Sequence, residues 1–211
     1  KIYKDIDYKS GIAITYNNLG DIISKQSFYD SAFIYYQNAV KIQEEIDDQY
    51  GLAASLGNIG TLFSTKGDYR IAKEYYEKSL EIYTRIGNKS GIAGAYINIG
   101  NILYDIDDDE ELALEFFQKA LELSEEIKSQ IGIANALVNL ARIYVNLGED
   151  RKALNYFQRS LNIYTSLENT PGVASTKTNI GKIYLEIEDY KKALVYLEDD
   201  LELNNQMDDL N

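Results

Sequence analysis

Five asparagines, Asn18, Asn58, Asn98, Asn139 and Asn179, stand at nearly fixed spacing and are the residues best placed to do recurring chemistry. Each side-chain amide offers both a donor and an acceptor, so it can pair with the C=O and N–H of a passing peptide whatever side chain lies between them. Packed helices stand roughly 8 to 10 Å apart and an extended chain advances about 3.3 Å per residue, so one amide per helix pair would meet about every third residue of a bound segment. The competing role for a recurring amide is to bond a neighbouring helix and hold the stack. Covalent chemistry has no comparable footing. With no His and no Cys, the chain lacks the commonest general base, the commonest metal ligand and any thiol. Serines are scattered with no base beside them, and neither the phosphate loop nor the dinucleotide fingerprint occurs. The residues therefore point to a non-enzyme that needs no cofactor.

One acidic stretch resembles a cation loop. Asp105, Asp107 and Asp109 fall at the first three ligand positions of a calcium loop, but its sixth position is Glu110 where glycine is required and its twelfth is Phe116 where a glutamate should close the site. The alternative is a helix-capping turn with one extra residue and an excess of charge.

The elements that must carry the asparagines are set by a longer ruler. A glycine recurs as Gly11, Gly51, Gly91, Gly132 and Gly172, in steps of 40, 40, 41 and 40 residues, with an alanine two places later each time. Two places after each asparagine stands a very small residue, Gly20, Gly60, Gly100, Ala141 or Gly181. A period of this length means stacked supersecondary units whose core runs from repeat to repeat. Each unit reads as two helices, A and B. In the second, Tyr69, Ala72, Tyr75, Tyr76, Ser79, Leu80, Ile82, Tyr83 and Ile86 follow the three-and-four spacing of an amphipathic helix. Small alanines facing large rings suggest that most of the 19 tyrosines pack between helices. The mid-helix glycines cost roughly 0.5 to 1 kcal/mol each relative to alanine, and close approach of two helix backbones is the expected compensation.

Helix-start chemistry falls where it should. Asp68, Asp109, Glu149 and Asp189 precede helix B at one repeat position, where a carboxylate can cap free N–H groups. Thr170-Pro171 reads as a cap followed by proline at the first helical position, and Gly87-Asn88 as a left-handed helix end followed by a cap. Residues 1–7 read as the tail of a preceding helix B, which gives eleven helical segments and no sheet. The repeats then span residues 8–47, 48–87, 88–128, 129–168 and 169–211.

The small residue of helix A, a large one three places on (Ile23, Phe63, Leu103, Tyr144, Tyr184) and the Ala-aromatic signature of helix B together resemble the tetratricopeptide repeat, in the longer form found in Pins-type scaffolds, Rap-type peptide receptors and bacterial sensor proteins. The resemblance implies an all-α, right-handed solenoid of antiparallel helix pairs. Lys177 departs from it, standing where Tyr16, Leu56, Tyr96 and Leu137 put an apolar residue; a long stem reaching solvent would accommodate it. In such stacks the A helices line a concave wall. The resemblance therefore implies a peptide-binding groove lined by the five repeated asparagines with Asn17, Asn101, Tyr104, Asn135, Val138, Arg142 and Lys182, flanked by Ile14, Asp21, Ala54, Thr61, Ile97 and Thr178.

Composition narrows the partner. A net charge of −13 repels a phosphate backbone, which speaks against nucleic acid and would steer in a basic protein segment. No stretch reaches the eighteen or more apolar residues of a membrane span, and the chain reads as cytoplasmic. The expected function is to hold an extended peptide or protein segment, with an architectural spacer or the sensory arm of a larger signalling protein as alternatives. Ile2, Tyr3 and Ile6 at one end, and Tyr196, Leu197, Leu201 and Leu203 at the other, lack a polar capping face, so end-to-end self-association is expected.

Overall fold

The computed structural model describes the backbone of residues 2–208 and the side chains of residues 8–199 and Leu201. It contains ten α-helices: α1 (Ile2–Lys25), α2 (Tyr29–Glu45), α3 (Gln49–Lys66), α4 (Tyr69–Arg85), α5 (Lys89–Asp105), α6 (Glu110–Glu126), α7 (Gln130–Asn146), α8 (Asp150–Ser166), α9 (Thr170–Glu186) and α10 (Tyr190–Asp208). No strand occurs among the described residues. Odd-numbered helices carry the asparagines, so they are the A helices and the even-numbered ones are the B helices. The chain divides into two units, Lys1–Asp108 with α1 to α5 and Asp109–Asn211 with α6 to α10. Within each, every helix packs against the next in sequence, giving tandem helix pairs.

The expected eleventh segment is not separate. Residues 2–6 run on into α1 without a turn, because helix propagation adds a hydrogen bond per residue and stops only where something competes for the turn. The side chains of Ile2, Tyr3, Ile6 and Leu203, named above as an uncapped face, lie outside the described residues.

All the other turns share one device. Each of the nine inter-helix connections holds a residue with positive φ: Ser27, Asp47, Gly67, Gly87, Asp108, Lys128, Gly148, Glu168 and Glu188. A left-handed residue at the helix end lets the next N–H groups fold back onto the last carbonyls; Asn88 N, for example, bonds Tyr83 O at 2.9 Å. Caps at the A helices are uniform: Asp48, Asn88, Ser129 and Asn169 accept from the N–H of Gly51, Gly91, Gly132 and Gly172. The cap of α9 is thus Asn169, and Thr170-Pro171 already lies inside the helix, one place later than the sequence suggested. At the B helices capping is partial. Asp109 accepts from Leu112 N at 3.1 Å and Asp189 from Lys192 N at 3.3 Å. Asp68 and Glu149 make no cap bond, and Glu149 instead pairs with Lys152 at 3.3 Å.

The mid-helix glycines Gly20, Gly60 and Gly181 answer to large side chains of helix B rather than to backbone. A Cβ on Gly20 or Gly60 would lie 2.5 or 2.6 Å from the Tyr36 or Tyr76 ring, and one on Gly181 would lie 2.7 Å from Leu197. Two of the ruler glycines are explained in the same way, since at Gly91 and Gly172 the space is filled by Tyr83 and Tyr164 of the preceding B helix, whereas Gly51 and Gly132 meet the polar side chains of Gln43 and Ser124. The expectation of close backbone approach is therefore corrected to close packing of a helix-B side chain on the glycine, a tyrosine ring at Gly20 and Gly60 and Leu197 at Gly181. Around these contacts lie the cores: Ala32, Tyr36, Ile59 and Leu62 in the first unit, and Ala141, Tyr144, Ala153, Phe157, Leu161, Ile180 and Ile183 in the second. Aromatic pairs lock helices A and B of one repeat, with Phe63 stacked on Tyr75 at 5.8 Å and Tyr144 on Tyr156 at 5.4 Å. Lys177 does not run out to solvent. Its ammonium meets Asp199 of α10 at 2.8 Å, with its side chain only 19% exposed.

Candidate functional site

The five repeated asparagines do not share one environment. Asn58 on α3 and Asn98 on α5 are half-buried and bond no other described residue. They line a common cavity of about 230 Å³ with Ala54, Gly57, Thr61, Gly91, Gly94 and Ala95, floored by Tyr76, Ser79 and Tyr83 of α4. The cavity owes its space to Gly57 and Gly94, which fall inside helices yet off the ruler. Nothing lies within 4 Å of a Cβ on Gly94, and the nearest atom at Gly57, Ser79 Oγ, is 3.6 Å away. The floor spends its own polar groups internally: Ser79 donates to Ala53 O at 2.8 Å and Tyr76 to Thr61 Oγ1 at 3.1 Å. Burial pushes the Tyr76 and Tyr83 phenols above their ordinary value, so they stay neutral. The walls therefore carry no charge, and the two amides are left with their donors and acceptors unspent.

Elsewhere in the first unit the polar residues brace the stack. Asn17 Nδ2 donates to Ser55 Oγ at 2.8 Å, and Ser55 donates to buried Gln43 at 2.7 Å, tying α1, α2 and α3 together. Asp21 accepts from Tyr36 OH at 2.7 Å. Asn18 and Ile14 are exposed, whereas Asn101, Tyr104 and Ile97 are half-buried, and Asn101 Oδ1 is shielded from solvent with no partner.

In the second unit Asn139 is spent. Asn139 is 8% exposed and its Oδ1 accepts from Arg142 Nη1 at 3.2 Å. Asn135 accepts from Tyr164 OH at 2.5 Å, and Val138 packs against the core, so these two serve the fold. On α9, Thr178 bonds Ala174 O, Asn179 is half-buried without a bond to another described residue, and Lys182 is exposed. Among the candidates, then, Asn58 and Asn98 are the pair gathered into one cavity. The residues that shape it, Gly57, Gly94 and Tyr83, were missed as site residues; the signal available was two glycines out of register within helices. The acidic turn is engaged locally: Asp109 caps α6 and Asp107 pairs with Lys73 at 2.8 Å. No group of three His, Cys, Asp or Glu is placed to hold a metal among the described residues.

The tetratricopeptide repeat profile matches residues 11–85, 91–166 and 132–206. The chain belongs to the tetratricopeptide repeat family. Curated proteins give no match, but solved structures do. BtubC (BKLC) from P. vanneervenii is 21% identical, with a TM-score of 0.81 over 98% of this chain and 85% of that one. A Rap protein crystallised in complex with Competence and Sporulation Factor is 21% identical with a TM-score of 0.80, over 92% of this chain and 54% of that one. Aspartyl phosphate phosphatase F from Bacillus subtilis is 17% identical with a TM-score of 0.77, over 92% and 51%. The chain spans about half the length of these last two proteins. At such identities the likeness is one of fold. Tetratricopeptide repeats are protein-interaction modules, and no helix among the described residues is long and apolar enough to cross a membrane.

Proposed function

We propose that this chain is a non-catalytic binding module that holds an extended protein segment along its A helices, with Asn58 and Asn98 pairing to the segment's backbone. The observation that carries the reading is the pair of unspent amides in an uncharged cavity. A peptide lying across α3 and α5 would gain two hydrogen bonds at Asn58 and two at Asn98, while Gly57 and Gly94 leave room for one of its side chains. At about 230 Å³ the space suits a neutral residue of medium size. Net charge of −13 favours segments with basic residues on either side, which would bind more weakly as salt rises. Within the first unit Asn18 and Asn101 extend the contact surface, whereas Asn17 there, and Asn135, Val138 and Asn139 in the second unit, hold helices. The Rap protein above, complexed with Competence and Sporulation Factor, is a precedent in fold for ligand binding, not for this ligand.

A random-peptide display library selected on the wild-type chain supplies the probe. Asn58→Ala and Asn98→Ala should each weaken a selected peptide by about fivefold, the equivalent of about 1 kcal/mol per lost bond pair, with melting temperatures unchanged. Asn139→Ala should behave oppositely, lowering the melting temperature because the bond between buried Asn139 and Arg142 is lost. Full affinity in the Asn58/Asn98 double variant would overturn the reading, as would a library that yields no binder.

A further inference from the structure

The Asn58–Asn98 cavity has a floor of different polarity from its rim. Four hydroxyls border it, those of Thr61, Tyr76, Ser79 and Tyr83, and three of them give their protons to the protein itself. Ser79 donates to Ala53 O at 2.8 Å, Tyr76 to Thr61 Oγ1 at 3.1 Å, and Thr61 in turn to Gly57 O at 3.2 Å. A hydroxyl whose proton is committed can only accept. The fourth, on Tyr83, belongs to a ring that fills the space at Gly91 and meets Tyr50 edge-on at 6.1 Å. Of the accepting oxygens, Ser79 Oγ lies directly beneath the opening left by Gly57, 3.6 Å from where a Cβ on that glycine would stand.

The serine by itself belongs to the fold. Two repeats later Ser160 makes the same bond, to Ala134 O at 3.0 Å. What differs is the residue that stands over it. There the place of Gly57 is taken by Val138, which packs against the core. In α2 and α6 the place of the serine is taken by Ala39 and Ala120, whose side chains have no polar atom to uncover. Helices α3 and α4 are thus where a buried acceptor and a missing side chain coincide.

We infer that this cavity selects its segment by one neutral, hydrogen-bond-donating side chain, Asn, Gln, Ser or Thr, whose N–H or O–H is accepted by Ser79 Oγ. The inference rests on the binding mode proposed above, with Asn58 and Asn98 holding the backbone on either side of that residue. A carboxylate in the same place would face lone pairs and find no cation among the lining residues. An ammonium or guanidinium would meet acceptors but no carboxylate, and so would leave water with its charge unbalanced. An apolar side chain of equal size forgoes the bond. Basic residues drawn by the acidic chain therefore flank the selected residue and do not enter the cavity.

The test uses a peptide selected on the wild-type chain from the random display library, resynthesised with each position in turn as Asn, Leu, Asp, Thr, Val or Lys. At one position Asn should bind more tightly than Leu, or Thr more tightly than Val, by about fivefold, the worth of one net hydrogen bond, with Asp and Lys weaker than the donor. Ser79→Ala, which installs the residue that α2 and α6 already carry, should make donor and apolar isostere equal at that position. Gly57→Val, which copies Val138 and closes the opening, should do the same, and it replaces Ser79→Ala if circular dichroism shows that variant to have lost helicity. A peptide weakened by Asn58→Ala and Asn98→Ala in which no position prefers the donor, or whose preference survives the folded variant, would overturn this inference and leave the binding mode standing. A peptide indifferent to both asparagine variants, or a library that yields no binder, would overturn the two together.

Discussion

Alanine at position 60 would carry its Cβ into the Tyr76 ring, 2.6 Å from Cδ1 and Cε1, whereas alanine at position 94 would meet nothing within 4 Å. Both glycines lie inside A helices, so both substitutions collect the same intrinsic gain, roughly 0.8 to 1.0 kcal/mol in a helix interior. At position 94 that gain stands alone, and Gly94→Ala should raise stability by about 0.5 to 1 kcal/mol. At position 60 it is opposed. Tyr76 is 4% exposed and its hydroxyl is bonded to Thr61, so the ring has no free direction in which to yield, and overpacking of this kind costs typically 1 to 3 kcal/mol. Gly60→Ala should therefore end between neutral and about 2 kcal/mol less stable, leaving the two variants about 1 to 3 kcal/mol apart. Thermal denaturation followed by helical ellipticity reads this, at about 2 to 4 °C per kcal/mol for a chain of this size. Equal shifts in the two variants, or a Gly60→Ala more stable than Gly94→Ala, would refute ring-on-glycine packing as the reason for the small residue. Gly94→Ala also reports on the site, because its methyl enters the cavity shared by Asn58 and Asn98: a selected peptide that uses that space should bind more weakly to this more stable protein.

Lys128 and Glu168 hold φ values of 56° and 53° at exposed turns, a conformation that costs an L-residue about 1 to 2 kcal/mol. Lys128→Gly and Glu168→Gly should each stabilise the chain by about 0.5 to 1 kcal/mol once the greater freedom of glycine in the unfolded chain is subtracted; a urea midpoint that falls would count against the turn geometry. At high pH the buried tyrosines set the response. Burial, and then the hydrogen bond to Asp21 and its charge, hold the Tyr36 phenol well above its usual value, and burial raises Tyr76, Tyr83 and Tyr164. The unfolded chain then loses phenolic protons near pH 10 that the folded chain keeps. Their contribution is complete below pH 10 and stability should fall as pH climbs above it. Tyr36→Phe should cost about 1 kcal/mol or more near neutrality, where it removes a hydrogen bond to a carboxylate, yet flatten the alkaline decline. An unchanged slope in alkaline melts would deny Tyr36 that role.

The sequence determined whatever acts within a few residues or repeats at a fixed period. Asp48, Asn88, Ser129 and Asn169 cap the ruler glycines three places on because a cap reaches only its own first turn, and the helix pairs follow from apolar spacing that only an amphipathic helix can satisfy. Those features identify the repeat and its A and B helices without any tertiary information. Tertiary structure decided which asparagines are free. Asn58 and Asn139 occupy the same repeat position and look alike in sequence, but Arg142 spends one while Thr61, at the corresponding place, leaves the other open. It also decided that Asn17 is a brace, through Ser55 at a separation of 38 residues, that Lys177 is paired with Asp199 rather than solvated, and that Gly57 and Gly94 open onto one space. The physical reason is the same in each case: a donor, a charge or a missing side chain acquires its meaning from whatever stands across from it, and in a stack of repeats that neighbour lies on another helix, beyond the reach of local pattern.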